Sequence, residues 1–325
     1  MRLVRIELTR LRWRRAVLFL TAVSIIVPVL IWAGMAWNTR PLSDADIANA
    51  QQQVERDKAM YEEDRQNCLE SPEEFGPPDG MDVEEFCGEI FPDPQVDWYL
   101  MRPQLSMDDA QETSTGVATV LLGLAILIGA TFAGADWSSG SMSNQLLFEP
   151  RRIRVWGAKA AAVMIGALAV AAVGLAAFWA LTWGLMESRD IAATSGAWRD
   201  AAEAGGRSVL FAAAAALGGY VVTMFLRSTV GTLGVMLAVS IGGSILVATL
   251  PIDGNGRWML PNNVFGILDN GYDYYDSSLP TCNEFEGGGI CEATLSLSEG
   301  LRFLGVLLVV GVALSMAAFR RRDVP

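Results

Sequence analysis

Long apolar runs separated by short polar interruptions set the pattern of this chain. Six runs stand out, at residues 16–37, 116–135, 160–186, 208–226, 230–250 and 301–319. Each is close to or above the roughly 20 helical residues that cross a hydrocarbon core about 30 Å thick. So bounded, they contain no Asp, Glu, Lys or Arg except Arg302 at the edge of the last. The first run exceeds the roughly 7–15 residues of a signal-peptide core, so it reads as a span and not as a cleaved leader. The pattern predicts an all-α membrane protein with six transmembrane helices.

The polar segments orient these spans. Residues 1–15 carry six arginines and one acid, Glu7, with Leu3, Val4, Ile6, Leu8, Leu11 and Trp13 as a rough apolar stripe. That combination predicts an N-terminal amphipathic interfacial helix with its arginines toward lipid headgroups. The loop 136–159 carries Arg151, Arg152, Arg154 and Lys159 against Asp136 and Glu149. The turn 227–229 begins with Arg227, and the tail 320–325 with Arg320–Arg322. Short basic segments mark the cytoplasmic side. Both termini are therefore expected there, in a multi-pass protein of the cytoplasmic (plasma) membrane. Segments 38–115, 187–207 and 251–300 are expected outside.

Charge and cysteine placement agree with this topology. The formal charge of −12 is concentrated in residues 38–115, which hold 20 Asp and Glu against 5 Lys and Arg. Within that segment the composition of 44–67 favours helix. Pro72, Pro77, Pro78 and Gly80 make 71–80 a loop, and a short helix is expected over 81–90. Ser106 with Asp109 three residues on resembles a capping box and predicts a helix start before the second span. The acidic character reads as a solvated face in preference to a cation site. Cys68 and Cys87 lie in the first outer segment, Cys282 and Cys291 in the last. Disulfides persist in oxidising compartments. The simplest pairing is Cys68–Cys87 and Cys282–Cys291, although four cysteines permit three connectivities. The result is a helical, disulfide-bonded extracytoplasmic insertion. Asp253 and Asn255 match only part of a calcium loop, and the chain has no His, so no metal site is expected.

The loop 136–159 carries the most specific signal. Residues 138–140 read as a turn, and 144–148 as a short helix with Leu146, Leu147 and Phe148 on one side, stopped by Pro150. A short apolar-faced helix outside the lipid needs a cover, and a docked protein would serve. The order Asp136, Gly140, Ser141, Leu146, Leu147, Pro150, Arg151, Arg152 and Lys159 resembles the first cytoplasmic loop of type-2 ABC exporter permeases. There the acidic position is usually Glu, so Asp136 keeps the charge with a shorter reach. The N-terminal helix and the arginine turn at Arg227 also resemble that family. The resemblance covers the six-span layout and the inner loops, but not the long acidic segment 38–115. It implies a permease subunit whose loop couples to a separate ATPase subunit. A second permease copy, or a related chain, would pair with it in the bilayer. ATP and Mg would be cofactors of the partner and none would sit on this chain.

The composition of the spans narrows the mechanism. Ion-coupled carriers place ionisable groups in the membrane, and intramembrane proteases need a nucleophile, a carboxylate pair or a metal site. Neither is expected here. The chain lacks G-x4-G-K-[ST], the phosphate-cradling loop, so hydrolysis is expected on another polypeptide and no enzyme activity on this one. Nothing points to nucleic acid. The alternative is a membrane-anchored sensor that binds a ligand or partner through its acidic outer segment.

Overall fold

The computed structural model describes residues 2–76, 82–100, 105–276, 278–279, 282 and 291–321. The expected loop positions Pro77, Pro78 and Gly80, the helix start at Met81 and the terminal Arg322 lie outside these. The chain divides into two compact units, Met1–Ala33 with Ser106–Pro325, and Gly34–Leu105.

In the larger unit a short helix α1 (Arg2–Trp13) leads into α2 (Arg15–Asn38). The smaller unit holds α3 (Asp44–Glu70), α4 (Val83–Ile90) and α5 (Val96–Tyr99). The larger unit resumes with α6 (Met107–Ser138), α7 (Ser141–Phe148), α8 (Arg152–Ser188) and α9 (Ser195–Leu226). Then come α10 (Thr229–Leu237), a π turn over Ala238–Gly242 and α11 (Gly243–Thr249). A 3-10 turn (Asn255–Trp258), α12 (Leu260–Leu268), the strands β1 (Gly271–Tyr275) and β2 (Glu292–Ser296), and α13 (Leu297–Arg321) complete it. The helices α2, α6, α8, α9, α10–α11 and α13 are six apolar segments of membrane-spanning length, the layout of a multi-pass membrane protein.

Three expectations change. The spanning helices outrun their apolar runs, so Asp136 lies inside α6 and Lys159 inside α8 rather than in a loop. The helices are therefore not free of charge. An apolar run marks where a helix must avoid polar side chains, while backbone hydrogen bonding continues until a cap or breaker stops it. For the same reason α9 begins at Ser195 and not near residue 208. The Thr194 hydroxyl caps it by accepting from the Ala197 N–H at 3.2 Å, and Trp198 packs edge-on against Trp179. Finally, the fold is not wholly helical. β1 and β2 form an antiparallel pair with Tyr272 opposite Leu295 and Tyr274 opposite Ala293. Tyrosines suit a pleated, half-buried surface.

The core of the larger unit is the seam between α6 and α9. A Cβ on Gly129 would lie 2.0 Å from the Ala216 carbonyl oxygen, and one on Gly219 would lie 2.3 Å from that of Ile126. Glycine at both positions lets two backbones approach to contact. Phe132, Ala216 and Tyr220 fill the space alongside. By contrast, few residues of α2, α10–α11 and α13 are fully buried.

The smaller unit is held by local devices. Ser43 and Asp46 form a capping box at the start of α3. The Asp82 carboxylate accepts from the N–H groups of Glu84 and Glu85 at the start of α4. The Cys68–Cys87 disulfide joins the two helices and is fully buried beside Phe86. The second bridge is Cys282–Cys291, so the two local pairings are those the chain adopts. The Ser106–Asp109 capping box also forms at the start of α6.

Candidate functional site

The site is built at the end of the helical unit where α6 stops, α7 turns and α8 starts. Gly140 adopts φ +66°, a left-handed conformation that costs glycine little, and redirects the chain from α6 into α7. Met142 then faces the core and is fully buried. Leu146 packs on the same core, one turn further on. Leu147 and Phe148 point away and are 80% and 90% exposed. The expected single apolar face of Leu146, Leu147 and Phe148 is therefore split: Leu146 anchors α7, while its neighbours are presented. Helical geometry forces this, because adjacent residues are rotated by about 100° and cannot share one narrow stripe. The helix also starts earlier than residue 144, at Ser141.

Beneath α7 lies a buried ionic network. The Lys159 ammonium donates to Glu7 Oε2 at 2.8 Å and to Asp136 Oδ2 at 2.5 Å. Arg14 Nη2 donates to the other oxygen of Asp136, and Arg14 Nη1 to the Phe132 carbonyl at 2.8 Å. Gln145 Nε2 donates to Glu7 Oε1, and Gln145 Oε1 accepts from Arg10 at 3.2 Å. The Phe132 ring lies under both cations, 4.8 Å from the Arg14 guanidinium and 5.2 Å from the Lys159 ammonium. Glu7, Asp136 and Lys159 are fully buried. A buried charge must be paired and hydrogen-bonded to persist, and both carboxylates here are. The network joins α1, α6, α7 and α8 through side chains and the Phe132 carbonyl.

The spacing within α1 explains how Glu7 arrives there. Residues 3, 7 and 11 recur at helical intervals, so Glu7 shares the inward face with Leu11, and Arg14 follows at the break between α1 and α2. Leu11 is buried against α8, where a Cβ on Gly166 would lie 2.5 Å from its Cδ2. Ile6 and Trp13, expected in the apolar stripe, are exposed at 49% and 72%.

The other residues expected in the site are placed around this network. Ser141 opens α7, Pro150 ends the short connection and Arg151 precedes α8. Arg152 donates to the carbonyls of Phe319 and Arg320, tying the start of α8 to the end of α13. Pro150, Arg151, Arg154 and Arg320 line a shallow basic groove of about 250 Å³ next to the exposed tip of α7. Arg227, left-handed at φ 58°, stacks on the Trp137 ring at 4.6 Å. Tyr220 donates to the Trp156 carbonyl at 3.0 Å, and the Trp156 indole donates to the Ser315 hydroxyl at 3.3 Å.

Reading the loop alone missed Glu7, Arg14 and Gln145. Glu7 did leave a signal: it is the lone acid among six arginines and falls four residues from both Leu3 and Leu11. Among the described residues no group of three or more His, Cys, Asp or Glu is gathered to hold a metal ion. The Lys159 network and the Gln145 bonds are suited to positioning a helix. Comparison with protein-family models, curated proteins and solved structures finds no match for this chain.

Proposed function

We propose that this chain is the membrane-spanning permease subunit of an ATP-driven exporter of the type-2 ABC kind, with α7 as the element that docks on a separate ATPase subunit. One observation carries the reading. A two-turn helix between two spans presents Leu147 and Phe148 almost bare, while its Gln145 hydrogen-bonds Glu7 and Arg10 of α1, beside the buried pairs that join α1, α6 and α8 through Lys159. An apolar tip of this kind, rimmed by Arg151 and Arg154, fits a partner with an apolar pocket and acidic edges. Rigid attachment at the base lets a push on the tip reach three helices together.

In this proposal the α7 end faces the cytoplasm, with α1 and the end of α13 beside it. The basic residues at that end support this orientation. The disulfide Cys282–Cys291 belongs to the opposite, outer end. ATP and Mg bind the partner, two permease chains pair in the bilayer, and Gly34–Leu105 is an extracytoplasmic insertion. α1 acts as an interfacial helix whose inner face is also part of the coupling unit.

Purification of the tagged chain in a gentle detergent tests this. A stoichiometric ATP-binding subunit with ATP turnover is the expected result, lost with Leu147→Asp plus Phe148→Asp. Recovery of a lone chain, under conditions that keep other membrane complexes intact, would overturn it and favour a sensor that acts through Gly34–Leu105.

A further inference from the structure

At the end of the helical unit opposite α7, a groove of about 680 Å³ runs between the 3-10 turn and α13. Charged and apolar side chains both line it. Arg257 and Arg302 stand at the rim, with Trp258 and Phe303 packed edge to face at 6.2 Å. Buried Leu295 and exposed Val306 and Leu307 line it as well.

The two arginines are unequally partnered. Glu299 is the acid beside the arginines, but its Oε2 accepts from the Ser296 N–H at 2.9 Å and hydroxyl at 2.8 Å, closing the first turn of α13. Its Oε1 meets Arg257 at 3.4 Å. Among the described residues Arg302 hydrogen-bonds within its own helix, to the Ser298 carbonyl and hydroxyl. Arg257 is shared between Glu299 and the nearby Asp276, whereas Arg302 forms no ion pair among the described residues. The turn carrying Arg257 and Trp258 is itself fixed. Buried Asn263 donates to the carbonyls of Arg257 and Met259, each at 2.8 Å.

Below Arg302 the groove opens onto a bare apolar track. Arg302, Val306, Val310 and Leu314 recur every four residues on one face of α13, and the last three are 62%, 50% and 57% exposed. At 1.5 Å per residue this track is roughly 18 Å long, close to the length of an extended acyl chain. A surface with cations at one end, an aromatic at the same level and a long apolar track beneath matches one kind of molecule.

We propose that this groove binds an anionic phospholipid, its phosphodiester on Arg302 and Arg257 and one acyl chain along Val306–Val310–Leu314. Arginine favours phosphate oxygens because its planar fork can donate two bonds at once. Tryptophan belongs at headgroup level, where its ring is amphipathic. The bound lipid bridges the 3-10 turn and α13, so it would stiffen this end of the unit. The inference needs a bilayer but does not rest on the exporter reading.

Native mass spectrometry of the full chain tests it, with dioleoyl phosphatidylglycerol and dioleoyl phosphatidylcholine in competition. One saturable phosphatidylglycerol is expected, preferred over phosphatidylcholine by about tenfold or more. Arg302→Gln should remove most of that preference. This exposed side chain bonds only within its own helix among the described residues, and a thermal melt confirms folding. Val310→Asp, which leaves both arginines in place, should weaken retention by placing a charge on the acyl track. Equal retention of the two lipids by the unaltered chain would overturn the proposal. So would unchanged selectivity in both variants, or displacement of the lipid by millimolar inorganic phosphate alone.

Discussion

The ammonium of Lys159 lies 2.5 Å from a carboxylate oxygen of Asp136, with neither side chain exposed to solvent. The two residues come from different spanning helices and are 23 positions apart. Removing the cation leaves Glu7 and Asp136 buried around a lost charge. Breaking a buried pair in this way costs about 3–5 kcal/mol. Lys159→Met should therefore lower the thermal midpoint of the detergent-solubilised protein sharply. Adding Glu7→Gln should recover part of the loss, because Glu7 then keeps only the 3.4 Å contact with Arg10 while Asp136 keeps Arg14. Equal stability of Lys159→Met and the parent would show that the network is not the clasp of this end.

Adjacent leucines on α7 should behave differently. Leu146 packs on the core, whereas Leu147 is 80% exposed. Leu146→Asp should destabilise by roughly 2–4 kcal/mol, since it places a charge against apolar neighbours. Leu147→Asp should change stability by less than about 0.5 kcal/mol, the usual range for surface sites, while it abolishes capture of the ATPase. A paired melt and pull-down separates the two effects.

The α6–α9 seam makes a backbone prediction. Gly129 has no room for a methyl group, since the nearest atom would be a backbone oxygen at 2.0 Å. Gly129→Ala should force the helices apart and cost about 1–3 kcal/mol, as overpacking does. Gly123 lies on the same helix with nothing within 4 Å of its Cβ position. Gly123→Ala should be neutral or slightly stabilising. The difference in midpoint between the two variants reads the seam directly.

Sidedness follows from the proposed orientation. After mild reduction, a membrane-impermeant maleimide should label Cys282 and Cys291 from outside intact cells. In a chain otherwise lacking cysteine, Leu147→Cys should label only after the membrane is opened. Labelling of Leu147→Cys from outside would reverse the assignment of the two ends.

The hairpin provides a pH readout. Asp276 receives hydrogen bonds from the hydroxyl and N–H of Ser278, which hold its pKa below the ordinary value of 3.8. A depressed folded pKa gives a stabilising contribution that is complete above the unfolded pKa and is lost as pH falls through the folded one. Hairpin order should thus be constant near neutrality and weaken only in acid below 3.8. Ser278→Ala should move the Asp276 titration upward, as followed by carboxyl carbon chemical shifts.

Much of this layout was legible in the linear pattern. Span number follows from apolar runs because lipid excludes unpaired backbone polar groups and admits helices. The Ser106–Asp109 cap and both disulfides were readable because their partners are near in sequence. Helix ends were less legible. α6 and α8 run past their apolar stretches, and only packing reveals that Asp136 and Lys159 are inside. The β1–β2 pair was also hidden, since its strands are short and separated by the Cys282–Cys291 segment.

By itself the sequence determined six membrane-length helices, the Ser106–Asp109 cap and the polar stretch between the second and third spans, and it favoured the two local disulfides among three connectivities. Local hydrogen bonding and transfer from water depend on neighbouring residue types, so a linear pattern carries them. The tertiary structure alone decided that Glu7 meets Lys159 across 152 positions and that Leu146 faces in while Leu147 faces out. It also decided that Arg257 and Arg302 crown one apolar track. These depend on how helices rotate and seat against one another, and that rotation is set by the packing of all of them together.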